Sequence, residues 1–301
     1  MSTVSPLKKK MHQDHRQEFF MMLPALVFLS VFIIFPFLMS FRLALTNQSL
    51  IPGPIPAKFV ALRNFKDILT DTDFWQALWN VVRFTLMVVP LQCGFALLVA
   101  FLLDRQKTAK NFFRGVFFLP YITPIVIVCV IWATVLQYPA GVMNTVFQLL
   151  SFGLFQPVDW LGTPFTALPS IVMLSAWQAY GFQMIIYLAG LQNINEELYE
   201  AAEIDGTNAR QKFLYVTWPS LAQTNILVFI ITTIQALKLF TQVNILTNGG
   251  PRGTTNTIVH YIYEAGFVGQ KIGYASAASI LLFIFVVGVF LFQRRLLGDT
   301  N

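Results

Sequence analysis

Three features of the sequence predict an all-α membrane protein with six transmembrane helices. Apolar stretches close to the ~20 residues needed to cross a hydrocarbon core recur six times. Charged residues make up only 11% of the chain, against roughly 25% in soluble domains. Lys and Arg cluster between the apolar stretches and favour one side. A mean hydropathy of +0.63 agrees.

The six predicted spans are residues 19–44, 77–103, 116–136, 166–188, 221–239 and 275–292. The first follows Lys8, Lys9 and Lys10 like the start of a secretory signal. Its apolar part exceeds the usual ~7 to 15 residues and lacks a small-residue cleavage site, so it is read as a retained helix. Pro24 and Pro36 are expected to kink it, which neighbouring helices tolerate in lipid. The domain reading is therefore a short tail over 1–18, a membrane domain over 19–293 and a second tail over 294–301. Residues 47–74 carry a turn at Pro52, Gly53, Pro54 and Pro56, then a mixed-charge segment suited to a loop and a short surface helix. Residues 138–164 hold Asp159 as their only charge and are expected to lie along the outer membrane face. Asn248, Gly249, Gly250 and Pro251 form a strong turn signal after the fifth span.

Orientation follows from the basic residues. With the N-terminus inside, twelve lie on the cytoplasmic side, including Lys8, Arg16, Lys107, Arg210 and Arg295, and seven lie outside. That bias places both termini in the cytoplasm. Lys238 is left near the end of the fifth span, where two readings stand: a lysine snorkelling to the outer interface, or one facing the interior.

Residues 195–219 are polar and lie between the fourth and fifth spans. Asn195 is a good N-cap, and Glu196 and Glu197 favour the positive end of the helix dipole. Leu198, Ala201 and Ala202 recur at helical spacing. Gly206 suits the left-handed end of that helix, and Thr207 or Asn208 can cap a second one. This second helix is expected to stop before Pro219, because a residue preceding proline disfavours helical geometry.

Several chemistries are disfavoured. No G-x-x-x-x-G-K-[ST] sequence occurs, so the chain does not bind and hydrolyse ATP by that route. No Asp or Glu sits within a span away from its ends, which argues against a proton- or sodium-coupled carrier. The net charge of +6 does not imply nucleic acid, because the basic residues flank apolar blocks. Cys93 and Cys129 sit inside spans without metal-ligand spacing, so neither disulfide nor metal is expected. Glu196, Glu197, Glu200, Glu203 and Asp205 have no His or Cys nearby, which favours a solvated or protein-docking face over a catalytic one.

Glu200-Ala201-Ala202, three residues, Gly206, nine residues and Val216-Thr217-Trp218-Pro219 resemble the EAA loop of permease subunits of binding-protein-dependent ABC importers. Val216 and Trp218 replace the more usual Ile and Leu, and Ile204-Asp205-Gly206 is similar to the carbohydrate-importer version. The resemblance extends through Phe59-Val60, Leu62, Asn64-Phe65, Phe112-Phe113-Arg114, Leu119-Pro120, Trp132, Gly141 and Asn144. It continues in Leu246-Thr247-Asn248-Gly249-Gly250-Pro251, Tyr263-Glu264 and Phe267, similar to maltose-type and glycerol-phosphate-type permeases. The extra N-terminal spans and large outer domain of the maltose-type subunit have no counterpart here, so the closer likeness is to six-span sugar permeases.

The resemblance implies a type I ABC importer permease fold whose coupling helix engages a cytoplasmic ATPase through Glu200, Ala201, Ala202, Asp205 and Gly206. It implies a second permease subunit in a heterodimer, a dimeric ABC ATPase and an extracytoplasmic sugar-binding protein. No cofactor is expected in this chain; the partner ATPase uses ATP and Mg. The translocation path is expected where the fourth and fifth spans face the second permease. On the fifth, Asn225, Phe229, Thr232, Ala236 and Leu239 share a face, with Gln235 beside it and Lys238 as the remaining candidate. On the fourth, Ser175, Gln178 and Phe182 do likewise. Hydrogen-bonding groups among aromatic and small residues suit a sugar, while Thr and Gln also serve to join helices within bundles. The implied location is a bacterial or archaeal inner membrane. Two further classes stay open: a membrane-embedded enzyme acting on a lipid-linked substrate, and a secondary carrier. Among importers, a disaccharide, an oligosaccharide, a polyol and a glycerol phosphate all remain candidate substrates.

Overall fold

The computed structural model describes residues 21–51, 56–106 and 109–298, with side chains through Leu296. The expectations for the N-terminal tail and its lysines, Phe19, Phe20, the turn at Pro52 to Pro54, Lys107 and residues 299–301 lie outside these. The described chain is helical, its only pairing being an isolated bridge between Thr46 and Phe59.

Thirteen helices organise the described chain: α1 Met21–Ala44, α2 Arg63–Leu69, α3 Thr72–Asp104, α4 Lys110–Ile122, α5 Ile125–Val135, α6 Val142–Leu150, α7 Ala167–Gln192, α8 Glu196–Ile204, α9 Ala209–Ser220, α10 Ala222–Leu237, α11 Thr241–Leu246, α12 Ile258–Tyr263 and α13 Ile272–Gly298. Helices α1, α3, α7 and α13 are each long and apolar enough to cross a membrane. The pairs α4–α5 and α9–α10 pass the same test together, bent by 89° and 69°, which brings the candidate spans to six.

Both bends have local causes. Thr123 precedes Pro124 and takes an extended ψ of 131°, as the proline ring demands of its predecessor. Leu221 ends α9 at φ −84° and ψ 4°, outside helical geometry, and α10 starts from it. The chain does not stop before Pro219 as the sequence suggested. Helix α9 runs through Pro219 because residues Phe213–Thr217 form a π-helical turn, with the Trp218 N–H donating to Phe213 O five residues back. The wider turn relieves the clash that a proline ring makes with the carbonyl four residues earlier. In α1 the π-helical turn Ser30–Ile34 stands at the same offset before Pro36, and the Phe35 N–H donates to Ser30 O.

The chain divides into two compact units. One holds the described residues through Ile68 with Ala265–Ile280. Here Asn64 is buried and its amide donates to Ala44 O at 2.7 Å and Thr46 O at 2.9 Å, tying α2 to the end of α1. The Leu50 N–H donates to Gln270 O and the Gly273 N–H to Gln48 O, joining this loop to the start of α13.

The second unit holds Leu69–Glu264 with the remainder of α13. Helix α3 is its axis and packs on α7, α10, α4 and α12. Asp71 caps it by accepting from the Asp73 N–H at 2.9 Å. At 33 residues it is about 50 Å long. Gly181 lets α4 approach α7 closely, since a Cβ there would lie 2.3 Å from Phe117 O. Apolar residues on α3, α7 and α10 form two separate clusters. One contains Cys93, Ala96, Ala100, Met184, Tyr187 and Val228; the other contains Phe84, Val88, Leu168, Ile171, Ala236 and Val243. Between them along all three helices lies a layer of amides and hydroxyls.

Candidate functional site

That layer surrounds a cavity of about 160 Å³. Helix α3 contributes Phe84, Val88 and Gln92; α7 contributes Ser175, Gln178 and Ala179; α10 and the residues after it contribute Thr232, Gln235, Ala236, Leu239 and Gln242. Tyr121, from the end of α4, completes the lining and stacks on Phe182 with ring centroids 5.0 Å apart.

Most hydrogen bonds in this layer join helices. Thr232 donates its hydroxyl proton to Val228 O at 2.7 Å, so its oxygen serves as an acceptor. Gln183, fully buried on α7, directs Nε2 to Thr232 Oγ1 at 3.2 Å and to Gln235 Oε1 at 3.3 Å. Cys93 Sγ on α3 lies 3.6 Å from the same hydroxyl. Gln178 Nε2 reaches Pro120 O at 3.4 Å and Tyr121 O at 3.5 Å, carbonyls freed where α4 breaks. Gln92 Nε2, Ser175 Oγ and Gln183 Oε1 are buried without a partner. Each such atom costs about 1–3 kcal/mol.

The structure therefore brings together Ser175, Gln178, Thr232 and Gln235 from the sequence reading. Phe182 backs the wall through Tyr121 rather than lining the cavity. Asn225 is buried with Oδ1 unpartnered and Phe229 packs against the first apolar cluster, both away from the lining. Lys238 is exposed at the end of α10 and does not line the cavity. Sequence reasoning missed Gln92, Tyr121, Gln183 and Gln242. For Gln92 and Gln183 the signal was present, a lone amide in an apolar span, the pattern that singled out Gln178. Gln242 falls beyond the end of the expected fifth span.

The polar loop folds as a hairpin of α8 and α9. Asn195 caps α8 by accepting from the Glu197 N–H at 3.1 Å. Gly206 takes φ +73° after it, and the Thr207 N–H returns to Ala202 O at 3.1 Å, closing the helix end. Asn208 then caps α9 in a reciprocal box with Gln211, at 2.9 and 2.8 Å. Two cross-links hold the hairpin: Lys212 Nζ to Glu203 Oε1 at 2.6 Å, and Tyr199 Oη to Thr217 Oγ1 at 2.9 Å. The hydrogen bond and charge of Lys212 hold the Glu203 carboxyl below its ordinary range. Ala202 turns inward, whereas Glu200, Ala201, Asp205 and Gly206 are exposed together with Leu198 and Ile204, the last 87% accessible. The outer face of α8 thus combines carboxylates with unpartnered apolar side chains.

The chain is similar to known transport permeases. The family model for the binding-protein-dependent transport system inner membrane component matches residues 92–298. The trehalose/maltose transport system permease protein MalF of Thermococcus litoralis is 33% identical over 280 residues, covering 93% of this chain and 92% of its own. The lactose transport system permease protein LacF of Rhizobium radiobacter is 34% identical over 292 residues, 95% of each chain. Among solved structures, a bacterial ABC transporter involved in import of the acidic polysaccharide alginate is similar in fold. Its TM-score is 0.80 at 22% identity, over 99% of this chain and 100% of the other.

Proposed function

This chain belongs to the binding-protein-dependent transport system inner membrane components, a multi-pass membrane permease subunit and not an enzyme, and on that premise we propose that it forms half of the translocation path of an ATP-driven sugar or oligosaccharide importer. Relatives named for trehalose, maltose and lactose transport support a carbohydrate substrate. The observation that carries the mechanism is the continuity of the hairpin with the cavity. Helix α8 presents an exposed docking face, is cross-linked to α9, and α9 leads through Leu221 directly into α10, which carries Thr232 and Gln235.

Movement of a partner bound to α8 would then shift α10 as a rigid element, opening the cavity to alternate sides. The partner is a dimeric ABC ATPase that binds ATP and Mg, engaged through Glu200, Ala201, Ala202, Asp205 and Gly206. Ser175, Gln178, Thr232 and Gln235 form this chain's share of the path, with Phe182 supporting Tyr121. The second permease of a heterodimer supplies the other half, and a sugar-binding protein delivers substrate from outside. The membrane is the inner membrane, with both termini cytoplasmic.

Uptake in membrane vesicles containing the assembled importer tests this reading. Glu200→Lys or Gly206→Pro should abolish uptake and release the ATPase during purification while the permease stays at its normal level in the membrane. Normal uptake by either variant would overturn the coupling assignment. Replacing Thr232 and Gln178 together by alanine should alter substrate selectivity, and unchanged selectivity would remove them from the path.

A further inference from the structure

The chemistry of the cavity narrows what it accepts. Among the described residues its polar lining is made of amides and hydroxyls, and none of the lining side chains is an acid or a strong base. Lys238 is exposed and lies outside it. Gln92 and Ser175, only 4% and 6% exposed, are among its lining residues, and Gln92 Nε2 and Ser175 Oγ lack hydrogen-bond partners.

Because Gln183 engages Gln235 Oε1, and Gln178 Nε2 is held at the α4 break, Gln235 Nε2 and Gln178 Oε1 are the ends left for a ligand. The site thus presents both donors and acceptors, all neutral. A carboxylate brought between these apolar clusters would be desolvated with no cation to compensate it. A hydroxylated ring would instead pair with Gln92 and Ser175 and rest on the apolar walls of Phe84, Val88 and Leu239. The volume of about 160 Å³ suits one six-membered ring, since a cavity of roughly 150 Å³ holds benzene.

Resting on the sugar-importer reading, we infer that this chain's half of the path binds a single uncharged pyranose-sized unit and discriminates against sugars bearing a carboxylate. Gln92 and Ser175 are the residues that make the distinction, Gln92 as a donor to a sugar oxygen and Ser175 as donor or acceptor.

The test is ligand-observed NMR titration of the purified importer complex without its binding protein, so that selection by that protein does not intervene. The probes are maltose, trehalose, lactose and arabinobiose, with glucuronate-containing disaccharides as the charged set. Neutral sugars should bind at least tenfold more tightly than the uronates. Gln92→Arg should reverse that order, and Ser175→Ala, which changes little in volume, should weaken the neutral sugars about tenfold. The ATPase remaining bound during purification verifies that each variant is assembled. Equal binding of uronates and neutral sugars by the unaltered complex would overturn the inference and leave the importer reading standing. So would the binding of neither set while vesicles with the complete system still take up a neutral sugar. Failure of the complete system to take up any sugar would remove the importer reading and this inference with it.

Discussion

Single residues in this protein are constrained by backbone geometry and burial in ways that separate their effects. Gly206 sits at φ +73° with no heavy atom near the position of a Cβ, so a substitution there is opposed by conformation rather than by space. Gly206→Ala is expected to destabilise the hairpin by about 1 kcal/mol, measurable by hydrogen exchange of the α8 amides, whereas proline cannot adopt that φ at all. His260 is buried between Asn256 and Asn248, with Glu264 at 4.0 Å. Burial pushes its imidazole below the ordinary range, and Glu264 opposes this. The folded chain therefore prefers neutral His260. Its contribution to stability is complete above the unfolded value of about 6.5 and is lost as pH falls through the depressed folded value. Thermal unfolding should show stability decreasing as pH falls from about 6.5 towards the depressed folded value and levelling below it, and His260→Gln should flatten this dependence.

At the scale of elements, the α8–α9 hairpin is the clearest case of local sequence and tertiary contact acting together. Its caps, Asn195 and Asn208, and its turn at Gly206 were legible because each is a local backbone requirement. The Tyr199–Thr217 bond was not, since it links residues 18 apart through the hairpin's folding. A double-mutant cycle on Tyr199→Phe and Thr217→Val should give a coupling of about 1 kcal/mol in hairpin stability. Asn208→Ala should lower α9 stability by a similar amount, about 1 kcal/mol. The passage of α9 through Pro219 was misread for a physical reason. The pre-proline rule is only a steric bias, and Trp218 keeps αR geometry against it (φ −62°, ψ −46°), while the π-helical turn relieves the separate clash of the proline ring with the carbonyl four residues earlier. Its recurrence before Pro36 shows the same accommodation in α1.

For the whole molecule, topology is the property most directly open to measurement. Single cysteines introduced as Gln211→Cys and Leu154→Cys should be labelled by an impermeant thiol reagent from opposite sides of the membrane, Gln211→Cys from the cytoplasm. The two native cysteines are buried and should not interfere. Labelling of both from one side would refute the proposed orientation. The layered arrangement of two apolar clusters with polar groups between them belongs to this scale as well, because no single helix contains it. Its members come from positions 84 to 243, and only packing of α3, α7 and α10 brings them level.

The sequence by itself determined the membrane class, the approximate spans, the hairpin's caps and the family likeness, because length, apolar content and backbone preference act over a few residues. It also marked Ser175, Gln178, Thr232 and Gln235, since a polar side chain in an apolar helix is conspicuous. Tertiary structure decided which polar groups meet. It set Phe182 behind Tyr121, left Asn225 and Lys238 outside the cavity, and brought in Gln92 and Gln242. Helical periodicity specifies which face a residue occupies; the rotation and bending of whole helices determine what that face meets.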